Sequence, residues 1–228
     1  MYLLRLLALV VLISMIGIGC SAAEIEENVT DVGVGWAGTW IDNTGTLVLT
    51  EDGLNVTGVY IDPQTALSQI IEGTISEDGK VLSGTWRLVG SFTFALSKDG
   101  TYFNGTYGYG ENNTIKEGND TWNGTLTAEA DGENPWSGSW VSGIKAVTTL
   151  NQDGKEVNGT YEKLDPSDFS VIEGNASEDG KTLTGTWTEI GLFTLTMSDN
   201  KMFNGTYGFG SKDTIEGIDK NWNGVRAE

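Results

Sequence analysis

The chain contains no histidine and a single cysteine, Cys20. Without histidine, and without a thiol after Cys20, the nucleophile–base pairs of acyl-transfer chemistry and the preferred ligands of zinc or copper are missing. Disulfides within the rest of the chain are excluded, and no metal centre or cofactor is expected. Only carboxylates, lysines, tyrosines and hydroxyls remain for chemistry. The acids fall chiefly in turns, and Glu72 and Glu173 neighbour inward positions and so point outward. No catalytic residues are assigned; a carboxylate-dependent hydrolase is a minor alternative that would need two acids facing one cleft.

Basic residues are also scarce. Thirteen lysines and arginines stand against 32 acids in 228 residues, for a formal charge of −19. Such a surface repels nucleic acid and anionic membrane, so no nucleic-acid partner is expected. Proline is rare, at three residues, whereas glycine is abundant, at 32.

The only long apolar run is Leu6 to Ile18, preceded by Arg5 and too short for a comfortable membrane span. Residues 1–19 read as an export signal. The stretch Gly17-Ile18-Gly19-Cys20-Ser21 resembles a prokaryotic lipobox, with Gly17 where leucine is usual. The resemblance implies lipid attachment at Cys20, an extracytoplasmic location and anchoring to the membrane through the N-terminus. Plain cleavage near Ala22 or Ala23, or an uncleaved anchor, gives the same side of the membrane. An acidic tether, 20–35, follows.

The rest is a tandem duplication. Trp36, Trp40, Trp86 and Trp122 recur as Trp136, Trp140, Trp187 and Trp222, a period of about 100 residues. Self-similarity of this kind sets the architecture ahead of any local signal. Two repeats, 36–128 and 136–228, are separated by a linker at 129–135, and each is expected to bury its own core.

Within each repeat the pattern large apolar–x–Gly–x–large apolar returns. It appears at Val56-Gly58-Tyr60, Leu82-Gly84-Trp86 and Phe103-Gly105-Tyr107, and again at Val157-Gly159-Tyr161, Leu183-Gly185-Trp187 and Phe203-Gly205-Tyr207. Period-two spacing places the apolar residues and the glycine on one face and polar residues on the other, as in an antiparallel sheet wet on one side. Recurrent mid-strand glycine points to bending or close approach of a ring. Asp52-Gly53, Asp78-Gly79, Asp99-Gly100, Asp153-Gly154 and Asp179-Gly180 are hairpin signals. Leu82–Trp86 and Phe92–Phe94 are read as separate strands, as are Leu183–Trp187 and Phe193–Leu195, giving eight strands per repeat. Closure removes exposed sheet edges. The expected fold is all-β: two tandem eight-stranded antiparallel up-and-down meander barrels.

Gly38-Thr39-Trp40 and Gly138-Ser139-Trp140, followed by Gly45-Thr46 and Thr57-Gly58-Val59-Tyr60, resemble the opening of calycin barrels, and of avidins in particular. The resemblance implies ligand contacts at Asp42, Thr46 and Tyr60. Ser142, Val147 and Tyr161 stand at the matching places of the second repeat. Asp42 replaces the usual asparagine, and no counterpart of the biotin-stacking tryptophans is found. In calycins a basic residue of the last strand packs across the first-strand tryptophan. Arg226 is therefore expected over Trp140, with Leu126 closing the first repeat by packing alone. Trp40, Trp140, Trp86 and Trp187 are assigned to core and closure.

Asn-x-Ser/Thr sequons occur at Asn28, Asn55, Asn104, Asn112, Asn119, Asn123, Asn158, Asn175 and Asn204. They are candidate glycosylation sites, although Asn-Gly-Thr is also simply the strand motif. The acidic loop Asp165–Asp168 is a weak calcium candidate. The expected function is a non-catalytic surface protein binding a small apolar molecule, a glycan or an envelope partner. The alternative is a structural spacer with filled barrels. An enclosed volume of about 300 Å³ or more separates the two.

Overall fold

A computed structural model describes residues 35–64, 67–110, 120–127, 134–142, 146–162, 169–210 and 220–227. The signal segment 1–19, Cys20, most of the tether, Asn28, Asn112, Asn119, the acidic loop Asp165–Asp168 and residues 129–133 of the linker lie outside them. Every regular element among the described residues is a β-strand, and every pairing is antiparallel.

The strands from the first repeat are β1 (Gly38–Ile41), β2 (Thr46–Asp52), β3 (Asn55–Ile61), β4 (Ser68–Ile75), β5 (Val81–Leu96), β6 (Tyr102–Tyr109), β7 (Asp120–Thr121) and β8 (Gly124–Leu126). The second repeat gives β9 (Gly138–Ser142), β10 (Ala146–Asp153), β11 (Glu156–Glu162), β12 (Phe169–Ala176), β13 (Thr182–Ser198), β14 (Met202–Tyr207) and β15 (Lys220–Arg226). The five Asp-Gly turns form as expected: Gly53, Gly79, Gly100, Gly154 and Gly180 all have positive φ, between 61° and 75°. At Asp78, Asp99 and Asp179 the carboxylate accepts a bond from the serine two residues earlier. These bonds hold all three acids below the usual carboxylate range.

Two expected pairs of strands are single long strands. β5 runs unbroken through Arg87-Leu88-Val89-Gly90-Ser91, and β13 through Thr188-Glu189-Ile190-Gly191-Leu192. Neither stretch holds an Asp-Gly or proline turn, and Val89 and Ile190 are β-branched and favour extended backbone. The two long strands pair with each other over nearly their whole length, from Thr182↔Ala95 to Thr196↔Val81, with Leu88↔Glu189 at the midpoint.

This ribbon redistributes the repeats. The first half of β5 also pairs with β4, and the second half of β13 with β14. The circuit β1–β2–β3–β4–β5–β13–β14–β15 then closes through β15 onto β1. The other halves join β6, β8, β9, β10, β11 and β12 in a second circuit. With β7 and β8 counted together, as both pair with β6, each barrel-like ring has eight strand segments, five from one repeat and three from the other in the first, and the reverse in the second. The expectation of one closed ring per repeat, divided at 129–135, does not describe these pairings. The missing turn in β5 and β13 carries the C-terminal strands of each repeat into the ring of the other.

Both rings fill their closed ends with aromatics. Trp36, Trp40 and Phe203 cluster in the first, with ring centroids 5.5–6.2 Å apart. Trp136, Trp140, Phe94 and Phe103 do so in the second. All seven are fully buried. The indole N–H of Trp40 donates to the Trp36 carbonyl at 2.8 Å, and that of Trp140 to the Trp136 carbonyl at 3.1 Å, so these two buried donors are satisfied, whereas the Trp36 indole N–H finds no partner among the described residues. The described sequon asparagines, Asn55, Asn104, Asn123, Asn158, Asn175 and Asn204, are exposed, as the strand alternation requires.

Strand exchange also moves the closing arginine. Trp40 is the register partner of Arg226, and Trp140 that of Leu126. Arg226 lies over the Trp40 indole, its guanidinium carbon 4.1 Å from the ring centre, and not over Trp140. Its Nε donates to the Asn200 carbonyl at 2.9 Å, Nη1 to Ala37 at 2.7 Å and Nη2 to Gly35. A stacked guanidinium contributes about 0.5–2 kcal/mol, and three satisfied carbonyls add to it. Arg226→Ala is expected to lower stability by about 2 kcal/mol in chemical denaturation. Ser83→Ala, on the outer face, should fall within about 0.5 kcal/mol of the parent. Equal effects of the two would refute the closing role.

Candidate functional site

The first ring has a cavity of about 420 Å³ at one end, lined by Asp42, Asn43, Thr44, Tyr60, Asp62, Gln69, Trp86, Tyr207, Asn221, Trp222 and Asn223. Strand alternation delivers its walls. β3 ends inward on Tyr60, β14 on Tyr207, and Trp222 faces inward from β15. Trp86 arrives from β5, two residues from the midpoint of the shared ribbon.

Asp42 organises this end. Its Oδ1 accepts from the backbone N–H groups of Thr44 and Gly45, both at 2.6 Å, closing an Asx turn between β1 and β2. The same oxygen accepts from the Thr44 hydroxyl at 3.0 Å and the Tyr60 hydroxyl at 3.1 Å. Oδ2 accepts from the Trp222 indole N–H at 2.9 Å, across 180 residues of sequence. Trp222 in turn meets Tyr60, Tyr207 and Phe193 edge-on, with centroids 5.4–5.8 Å apart. Trp86 is fixed by its N–H to the Gly208 carbonyl at 3.0 Å and packs edge-on against Phe209. The site is therefore pre-organised, its aromatic rings held by bonds and packing rather than by a ligand.

Burial pushes the Tyr60 hydroxyl up to about 12, with the negative charge of Asp42 adding to the effect and the Thr44 bond opposing it. Tyr109, beside the second ring's Trp187 (centroids 5.3 Å apart), is pushed to about 12 by burial first and then by Tyr107, Asp120 and Glu189. In both cases the folded state holds its proton above the ordinary tyrosine value near 10. Their stabilising contribution is complete below about pH 10 and is lost as pH rises toward about 12. Denaturation midpoints should hence fall between pH 10 and 12. Burial, and then the charge of Asp42, raises the Tyr207 hydroxyl as well; spectrophotometric titration should show three tyrosines ionising late, and Tyr60→Phe should remove one of them.

Among the sequence candidates, the structure brings Asp42 and Tyr60 together in the cavity and adds Trp86, whose alternation with glycine reads first as core and second as a ring for stacking on sugars. Thr46 is half-buried on β2 and does not line the cavity. Tyr161 belongs to the other ring, where it meets Trp122 at 4.8 Å. Trp222, Tyr207, Gln69 and Asn221 were missed as site residues. Their alternation marks Trp222 and Tyr207 as inward, but nothing local shows that they join the ring of Asp42. Glu189 lies outside the turns that hold most of the acids: it follows the inward phase of Trp187 and Gly191 and is half-buried.

No family model matches the chain, and no curated protein or solved structure matches it.

Proposed function

We propose that this chain is an exported, lipid-anchored surface protein that binds a small polyhydroxylated ligand, a saccharide, at the open end of the first ring, without catalysing a reaction on it. The observation that carries the reading is the 420 Å³ cavity and its lining. It is larger than the lower bound of about 300 Å³ for small-molecule sites, which argues against a filled spacer. Its walls combine aromatic faces with Gln69, Asn221, Asn223 and two carboxylates. A purely apolar guest would cover the amides of Gln69, Asn221 and Asn223 without offering them partners, whereas a sugar offers hydroxyls to them and C–H faces to the rings. Both oxygens of Asp42 are committed to internal donors, which suits an acceptor that holds the site's shape rather than one that attacks a bond.

The binding test is calorimetric titration of the intact protein with mono- and disaccharides, with alkyl carboxylates run alongside. Saturable sugar binding is expected, weakened by Gln69→Ala and Asn221→Ala, which touch the cavity without belonging to the core. Binding of the alkyl series alone would replace the saccharide reading with an apolar one. Appearance of sugar hydrolysis products would overturn the non-catalytic assignment. Membrane attachment rests on the lipobox-like segment at Cys20. Cys20→Ser should release the protein from the membrane fraction or leave the signal uncleaved, and unchanged anchoring and processing would reject lipidation.

A further inference from the structure

The two rings are alike in their aromatic walls and unlike at the residue that faces the last-strand tryptophan. In the first ring the Asp42 carboxylate receives the indole N–H of Trp222. In the second ring the corresponding residues are Ser142 and Trp122. Serine carries one oxygen on Cβ and ends a bond short of a carboxylate. Among the described residues, the Trp122 indole N–H, the Ser142 hydroxyl and the Thr148 hydroxyl find no hydrogen-bond partner, and all three side chains are more than nine-tenths buried.

Their placement is not scattered. Thr148 on β10 lies directly between Trp140 of β9 and Tyr161 of β11. Ser142 is two residues beyond Trp140 on the same inward face. Trp122 meets Tyr161 edge-on. In the first ring the position of Thr148 is held by Leu47, opposite Trp40, so the second ring has a polar group there where the first has none, and a serine where the first has a carboxylate. A groove of about 540 Å³ on the outside, between Gly124 and Val141, reaches Ser142. Buried donors without partners are rare in folded proteins, and three in one ring wall call for an occupant. An indole N–H can only donate, so that occupant brings an acceptor.

We infer that the second ring holds a binding site for a small ligand bearing a planar acceptor group, a carboxylate or a carboxamide, which takes the place the Asp42 carboxylate fills in the first ring. The chain's own Asp42 shows what the position accepts: one oxygen on the indole N–H, the other on neighbouring hydroxyl and backbone donors. This site does not depend on the saccharide reading of the first ring, since it has different residues and a different ligand chemistry.

The test uses the intact chain labelled with 15N and follows the indole N–H resonances, with Trp122 assigned through Trp122→Phe. Sodium acetate and acetamide are titrated separately at constant ionic strength. A saturable shift of the Trp122 resonance is expected, while Trp222, already bonded to Asp42, stays in place. Acetate acting alone assigns a carboxylate ligand, and acetamide acting alone a carboxamide. Ser142→Asp supplies the group internally, so it should abolish the response and raise Tm; should that variant not fold, Ser142→Asn supplies the same shape uncharged. Asp42→Ser should transfer a response to Trp222. Absence of a saturable shift with both probes would mean that water alone satisfies these donors, and a shift that survives the Ser142 substitution would mean that the probe binds elsewhere; either result would overturn the site. Sugar titrations read at Trp86 and Trp222 report on the first ring separately.

Discussion

Expressed apart, the two repeats should not yield two compact monomers. Chains covering 36–128 and 136–228 each carry one long strand whose partner sits in the other repeat. Each alone leaves a sheet edge and part of an aromatic core uncovered. The first repeat can pair with itself in the same register, placing Leu88 opposite Leu88 and Trp86 opposite Gly90, and is expected to form a symmetric dimer. The second would place Glu189 opposite Glu189, and like charges directly opposed destabilise a ladder. It should assemble poorly by itself and be rescued by mixing, giving a one-to-one complex with the tryptophan emission of the intact protein. Sedimentation analysis of the separate and mixed chains decides the point. Two monomers with native emission would show that β5 and β13 can fold back as hairpins, and the exchange would then be dispensable.

The next largest effect is expected at the crossing of the rings. A Cβ on Gly191 would lie 1.8 Å from the Gly208 carbonyl oxygen and 2.2 Å from the Trp86 indole nitrogen. On Gly90 it would lie 2.1 Å from the Gly108 carbonyl oxygen and 2.2 Å from the Trp187 ring. These are the two carbonyls that receive the indole N–H groups of Trp86 and Trp187. One methyl group therefore displaces a buried ring and strains its hydrogen bond together. Overpacking costs about 1–3 kcal/mol and a lost buried bond about 1–3 more. Gly191→Ala and Gly90→Ala should each destabilise by about 3 kcal/mol or more in urea, with the Trp86 or Trp187 emission shifted. A loss below about 1 kcal/mol at both positions would show that the indoles have room to move.

Much of this architecture is legible in the chain. The period of the tryptophans, the inward phase of each strand and the Asp-Gly turns place nearly every buried aromatic on its correct face. Partner choice is not legible, because it depends on what happens at Arg87–Ser91 and Thr188–Leu192. A turn there folds each repeat on itself; a straight strand exchanges the ends. The residues favour the straight strand by lacking turn chemistry, but an absence of that kind is a weaker signal than Asp-Gly. Arg226 illustrates the cost. Its role in closing a ring against a first-strand tryptophan follows from its place on the last strand, while the identity of that tryptophan follows only from long-range pairing. The candidate site divides the same way. Asp42 and Tyr60 lie 18 residues apart and meet through one hairpin, whereas Trp222 reaches Asp42 from the opposite end of the chain.

The covalent join between the repeats has a further consequence. Two separate copies of a single-repeat chain, paired through the same ribbon, would be related by a two-fold axis, and every residue at one ring mouth would be duplicated at the other. A substitution useful in one mouth would be imposed on both. Joined in tandem, the halves are released from that constraint, and the pairs Asp42/Ser142, Leu47/Thr148 and Lys220/Asp120 record how far they have parted. The shared ribbon keeps the halves as one particle, and the duplication leaves each mouth free to acquire its own chemistry.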